Sequence, residues 1–409
     1  MDRQKSLLAF LFATLLLDSI GFGIILPVMP QLIMEVTGQD LSRAAVYGGL
    51  LLFLYAAVQF FSAPLMGNLS DRYGRRRVLL LSLLAFGLDY LLMGWAPTFG
   101  WLVLGRMIAG CVSSTWSVAN AAIADSFEPE HRAKQFALLG AAFGGGFIVG
   151  PVLGGFLGEL GSRVPFYATA ALALANALFG ALYFPETLAR ERRRPFRWRR
   201  ANPFGAFVQL RRYPMVGGLI VAWFFFLVAH HALPSTWSYF TMERFGWSES
   251  QIGYSLGFVG VLMMIVQAGL IRVVLDSYGP AVTAVLGLLG AMTSFAGYAF
   301  ASQGWVIYLF LMLGATQGFL SPAVQGLMSA RIPPDAQGEL QGALGSVMSL
   351  ATIISPLIMT NLFGYFTAAS APLYFPGAPY LLAFGLCVVS LLLFLPQLRR
   401  AGDAAGDSG

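Results

Sequence analysis

The sequence predicts an all-α membrane protein, twelve transmembrane helices in two six-helix bundles, and three observations predict it. Of 409 residues, 57% are hydrophobic and 11% charged, with mean hydropathy +0.71; a soluble domain carries roughly 25% charged residues, so most of this chain must lie out of water. Twelve apolar runs each approach the ~20 residues that cross a bilayer core. With that count, 21 of the 25 Lys and Arg residues fall on one side of the membrane. A missed span would invert every later loop and destroy the bias.

The N-terminal MDRQKSLLAFLFATLLLDSIGFG begins like a signal peptide, yet its apolar run passes Asp18 and Pro27 without a small-residue cleavage pattern. It reads as a retained first span, 7–32. Spans follow at 47–66, 78–95, 102–124, 136–156 and 164–183 in the first half. The second half gives 215–240, 252–274, 281–300, 305–328, 344–366 and 380–395. The domains expected are a bundle over 1–184, a basic linker over 185–213, a second bundle over 214–397 and a disordered tail over 398–409. The linker holds RERRRPFRWRR, which suits anchoring on anionic lipid. Basic residues mark the cytoplasmic side, so both termini are expected there.

The net charge of +6 says little about nucleic acid, because the basic residues serve topology. Cys111 and Cys387 lie in apolar runs and form neither a disulfide framework nor a metal spacing. The halves carry a weak repeat: Asp71-Arg72-Tyr73-Gly74 recurs as Asp276-Ser277-Tyr278-Gly279, with Arg272 in place of Gly67 and Pro280 in place of Arg75. Parallel halves with a site near the midplane are a transporter design.

The densest charge lies in GNLSDRYGRRRVLL, residues 67–80, between spans 2 and 3. Gly67 is expected to permit close helix approach and Gly74 a sharp turn, while the Arg run fixes the cytoplasmic end. This stretch resembles the signature loop of the major facilitator superfamily, matched at Gly67, Leu69, Asp71, Arg72, Gly74, Arg75 and Arg76. The resemblance implies a conformational latch, with Asp125 at the end of span 4 placed to join Arg75 and Asp71. In span 5, GFIVGPVLGG sets Gly146, Gly150 and Gly154 at intervals of four on one smooth helix face. With Pro151 and Gly155 it is similar to the antiporter motif of proton-coupled exporters. LLLDSIGFGIILPVMP, LSLLAFGLDYLL, WSYFTMERFGW, SPAVQGLMS and QGELQGALGS resemble the tetracycline-efflux branch along nearly the whole chain.

Of 19 acidic residues, 17 fall in loops, tails or span ends, leaving Asp18 and Asp89 deep in spans 1 and 3. A carboxylate at mid-membrane costs roughly 2.5–3.5 kcal/mol on insertion scales and so usually faces a wet cavity. The resemblance implies that Asp18 and Asp89 are functional acidic sites that couple to protons, Asp18 as a proton or cation site and Asp89 also helping to line the cavity. Arg106 lies about five residues, roughly 7.5 Å, inside span 4 from Trp101; it either snorkels outward or, as the branch implies, faces the cavity. Gln59 matches a substrate-side glutamine of the branch. Trp237, Gln317, Gln325 and Asn361 could bind a drug from the second half. His230 and His231 are adjacent, so at most one faces a cavity squarely, and histidine could shuttle protons. Where tetracycline exporters carry ionisable residues in spans 8 and 9, this chain has Met263 and Ala291, which favours a more hydrophobic or cationic ligand.

The resemblance thus implies proton-coupled efflux of small amphipathic drugs, tetracycline-like compounds leading, by alternating access in a bacterial cytoplasmic membrane. A monomer is expected, with no cofactor or metal beyond the proton gradient and no nucleic acid partner. The alternative is uptake or facilitative transport of a small metabolite, against which the glycine motif argues. A membrane enzyme would need clustered His, Asp or Glu near one membrane face, and the sequence shows no such spacing.

Overall fold

A computed structural model of the chain describes residues 3–113, 115–196, 214–333 and 336–406. The helices are α1 (Arg3–Ile25), α2 (Met29–Thr37), α3 (Leu41–Tyr73), α4 (Arg75–Trp95), α5 (Phe99–Val112), α6 (Thr115–Ser126), α7 (Pro129–Glu159) and α8 (Val164–Tyr183). After the linker come α9 (Pro214–His230), α10 (Ala232–Phe245), α11 (Glu249–Ile265), α12 (Ile271–Phe300), α13 (Gly304–Gly314), α14 (Leu320–Ser329), α15 (Gln337–Thr367) and α16 (Ala378–Gly406). The described residues contain no strand. The basic linker lies outside them from residue 197, and α16 runs as a helix to Gly406, into the segment expected as a tail.

Among the described residues, eleven helical stretches are long and apolar enough to cross a membrane. One, Glu249–Phe300, holds 52 residues, roughly 78 Å at 1.5 Å per residue, more than twice a ~30 Å bilayer core. Gly279 breaks it with φ 72° and ψ 169°, so it supplies two of the twelve expected spans. Several spans are less regular than their apolar runs suggest. The first ends in a turn at Pro27 before α2, and the fourth breaks at Ser113 between α5 and α6. A π-helical stretch, Val266–Leu270, joins α11 to α12, and a 3-10 stretch, Ala315–Phe319, joins α13 to α14.

The chain forms two compact units. The first comprises Met1–Asp40, Leu54–Pro203 and Trp247–Gly260. Its core gathers Phe10, Leu11, Leu15, Leu79, Leu83, Ala119, Ile123 and Phe184 from α1, α4, α6 and the end of α8, with Phe10 stacked on Phe184 at 4.7 Å. The glycine face of α7 lies against the backbone of α1. A methyl on Gly146 would come within 2.5 Å of the Leu16 carbonyl, and one on Gly150 within 2.6 Å of the Ile20 carbonyl. Gly154 is tighter still against Ile24, while Gly155 faces the Glu249 carbonyl on α11 at 2.5 Å. Small residues are what let the helices approach so closely. Pro151 shares the seam, in contact with Gly23.

The second unit comprises Leu41–Phe53, Phe204–Gly246 and Val261–Gly409. Four aromatics anchor it: Trp237 meets Tyr298 at 5.4 Å, Phe240 meets Tyr380 at 4.9 Å and Tyr298 meets Tyr380 at 5.5 Å, all edge-on. Such pairs add about 0.5–1.5 kcal/mol beyond burial. At its edge, the glycines of α3 leave room that a methyl would fill: Gly48 receives the Tyr239 ring hydroxyl and Gly49 the Thr360 side chain of α15. The π-helical and 3-10 stretches pack on each other through Val266, Ala315 and Phe319.

Candidate functional site

The charged loop closes on itself in the first unit. Arg75 opens α4 and is buried, 8% exposed. Its Nη1 lies 2.7 Å from Asp71 Oδ1, four residues back across the Gly74 turn, and its Nε donates to Asp125 Oδ2 at 3.0 Å. The three residues expected to form a latch therefore meet. Gly74 makes the turn with φ 101°, a conformation that side chains resist. Gly67 does not act as expected: a methyl there would meet open space, so its small size is not spent on helix approach. Arg72 lies over the Tyr73 ring at 5.1 Å, and Arg76 donates to the Ala181 carbonyl at 2.6 Å.

Glu186 completes this cluster and was not foreseen. Its Oε1 accepts the Arg75 backbone N–H at 2.8 Å, satisfying a donor that the start of a helix leaves unpaired. Its other oxygen is 3.6 Å from Arg193 and packs so closely on Gly74 that no side chain fits there. The available signal was one carboxylate just after span 6, ahead of the Arg run. Glu186→Ala is expected to cost about 1 kcal/mol, as for a lost helix cap, seen as a lower thermal midpoint of purified protein. An unchanged midpoint would remove Glu186 from the latch.

Within the membrane-spanning part of the same unit a second polar cluster forms. Arg106 Nη2 donates to Asp89 Oδ2 at 3.2 Å, with exposures of 6% and 1%. Arg106 pairs inward and does not snorkel. Gly105 lets α4 and α5 meet there, since a methyl would come within 2.6 Å of Asp89 Oδ1. The guanidinium sits over the Tyr55 ring at 5.8 Å and contacts Met93 Sδ. Tyr55 and Gln59 of α3 both bond Ser113, at 2.9 and 2.7 Å, where the fourth span breaks.

Asp18 projects from α1 toward the Thr115 hydroxyl of α6. Its neighbour Ser19 donates to the Phe143 carbonyl at 2.6 Å, fixing this turn of α1 against α7. Two polar atoms of the ion pair, Asp89 Oδ1 and Arg106 Nε, are buried without a partner among the described residues. Buried groups of this kind normally find partners, so the cluster has spare hydrogen-bonding capacity for a ligand or proton.

The second-half residues are not brought together. Trp237, expected to line a cavity, is 1% exposed inside the aromatic core. Gln325 bonds Ser321 and Asn361 bonds the Leu357 carbonyl, each one turn away on its own helix. Gln317 is buried and bonds His230 at 2.8 Å. Ala291 is fully buried and Met263 lies by Gly318, keeping both positions apolar. No group of three or more His, Cys, Asp or Glu among the described residues could hold a metal ion.

The sequence matches the pattern of the Major Facilitator Superfamily over residues 11–356. It is 36% identical over 406 residues to the tetracycline resistance protein, class C, of Escherichia coli, covering 99% of this chain and 100% of that one. Against the class H tetracycline resistance protein of Pasteurella multocida it is 35% identical over 402 residues, 97% of each. The fold also superimposes on the crystal structure of the nucleoside transporter NupG (D323A mutant), with TM-score 0.79, 15% identity and coverage of 96% of this chain and 99% of that chain.

Proposed function

Since the chain belongs to the Major Facilitator Superfamily, we propose that it is a secondary active transporter that exports small amphipathic drugs, tetracycline-like compounds first among them, in exchange for protons. The observation that carries this reading is the set of polar groups held inside the membrane-spanning part of one unit: Asp18 beside Thr115, and the buried Asp89–Arg106 pair with Tyr55, Gln59 and Ser113 around it. The tetracycline resistance of its relatives supports the substrate class. In the alternating-access cycle we envisage, Asp18 takes a proton as substrate leaves and gives it up before reloading. The ion pair keeps Arg106 from neutralising Asp18, and the Asp71, Arg75 and Asp125 latch biases which face is open. The setting proposed is a bacterial inner membrane, with both termini cytoplasmic and the protein monomeric.

The test is proton movement in everted vesicles carrying a pH gradient. Adding tetracycline should dissipate the gradient in wild type and fail to do so in Asp18→Asn of equal abundance. Equal dissipation by both proteins removes Asp18 from coupling, and none in wild type refutes the reading for tetracycline.

A further inference from the structure

We propose that His230 is a ligand-binding residue of the second compact unit, its Nε2 accepting a hydrogen bond from an amphipathic substrate bearing a hydroxyl or amine donor. The proposal rests on the transport reading above and assigns a contact on the half of the chain where the expected residues are scattered.

His230 is 16 residues beyond Pro214, the start of α9, about 24 Å at 1.5 Å per residue, and 15 residues before Phe245, the end of α10. It thus sits near the middle of a bilayer core ~30 Å thick. The helix breaks at this point for a covalent reason: Pro234 has no N–H to offer the His230 carbonyl four residues earlier. Opposite stands the 3-10 stretch Ala315–Phe319, which carries Gln317. Irregular backbone at such depth occurs where protein covers it or where it borders a cavity, and discontinuous helices build transporter sites.

The adjacent imidazoles are wired differently, and the contrast carries the argument. His231 uses both ring nitrogens: Nδ1–H donates to the Leu227 carbonyl at 2.8 Å and Nε2 meets the Thr352 hydroxyl at 3.0 Å. With Ser355 donating to the Val228 carbonyl at 2.8 Å, it braces the break against α15. His230 uses one: Nδ1 bonds Gln317 Oε1 at 2.8 Å, and Nε2 has no partner among the described residues. The glutamine oxygen can only accept, so Nδ1 carries the proton and Nε2 presents a lone pair. The ring is held at 5.7 Å and 28° on Phe226, itself stacked on Trp223 at 5.3 Å. A histidine kept only for packing would satisfy both nitrogens, as its neighbour does. This one is pinned by Gln317 and Phe226 with an acceptor unspent, the preorganisation a binding contact needs.

The test pairs His230→Asn with His230→Gln in purified protein, reading tetracycline binding by fluorescence titration and vesicle transport of tetracycline against tetraphenylphosphonium, which has no hydrogen-bond donor. Asparagine can replace Nδ1 but offers nothing at Nε2, whereas glutamine reaches the Nε2 position with a carbonyl oxygen. His230→Asn is expected to weaken tetracycline binding about tenfold, the worth of one hydrogen bond, with the phosphonium unaffected and His230→Gln largely restored. Unchanged binding in His230→Asn, equal loss for both compounds, or a wild type that binds no tetracycline overturns the proposal. Should His230→Asn not fold, Gln317→Leu, which leaves the ring unpinned, is expected to weaken binding several-fold, and unchanged binding there also overturns it. Binding that depends on His230 in a protein that moves neither compound would refute the transport reading and leave this one standing.

Discussion

Valine in place of Gly154 is expected to leave little folded protein in the membrane, whereas alanine at Gly144, ten residues earlier on the same helix, is expected to change nothing. Both glycines belong to α7, and only their surroundings differ. A methyl on Gly154 would overlap the Ile24 carbonyl and its α-carbon, all backbone, which cannot swing aside as a side chain can. At Gly144 there is open space. Overpacking typically costs about 1–3 kcal/mol, and a clash with fixed backbone belongs at or above the upper end. The damage would also reach the transport cluster, because the same seam sets the turn of α1 that bears Asp18. The measurement is the monodisperse fraction after detergent extraction. Equal yields for Gly154→Val and wild type would mean that α1 and α7 are not closely packed in the membrane.

Arg106→Met is expected to be comparably severe by a different route. It leaves Asp89, 1% exposed, with no counter-charge. Breaking a buried pair from one side costs about 3–5 kcal/mol, since the remaining charge is neither hydrated nor paired. Replacing both partners with apolar residues of similar size is commonly neutral or stabilising. The double variant Asp89→Leu/Arg106→Met should therefore regain much of the thermal stability lost in the single one, while transport stays absent in both. If the single variant melts with wild type, the pair is not formed in the folded protein. If the double variant regains transport as well, the pair is scaffolding and the site lies elsewhere.

Much of this was legible in sequence because membranes punish certain residues visibly. Asp18, Asp89 and Arg106 stand out in apolar runs, and the loop from Gly67 to Leu80 stands out by charge alone. What could not be read was direction and partnership. Trp237 and Gln317 belong to the same half and both end up buried, yet one enters an aromatic core and the other grips a histidine, which hydrophobicity cannot distinguish. Glu186 stands out only as a carboxylate after span 6; its role could not be read because it caps a helix 111 residues away along the chain. The π-helical and 3-10 stretches were hidden for a related reason: their residues are ordinary helix formers, and packing of one on the other supports the departure from α geometry. The break at His231 is likewise missed, the seventh span reading unbroken over 215–240, although Pro234 removes the N–H there.

The notch that Gly48 and Gly49 make in α3 also bears on how the protein is made. Tyr239 and Thr360, which fill it, emerge from the ribosome 191 and 311 residues later. At about 5–20 residues per second, Gly49 waits roughly 15–60 s for its partner. Through that interval the notch is open to acyl chains. Glycine is a tolerable thing to leave there, since it exposes no polar side chain and its backbone groups are already bonded within the helix. A polar residue gripping the same partners would have spent the delay unsatisfied in hydrocarbon, open to mispairing with whatever helix arrived first. The small residues thus suit the order of synthesis as well as the finished packing.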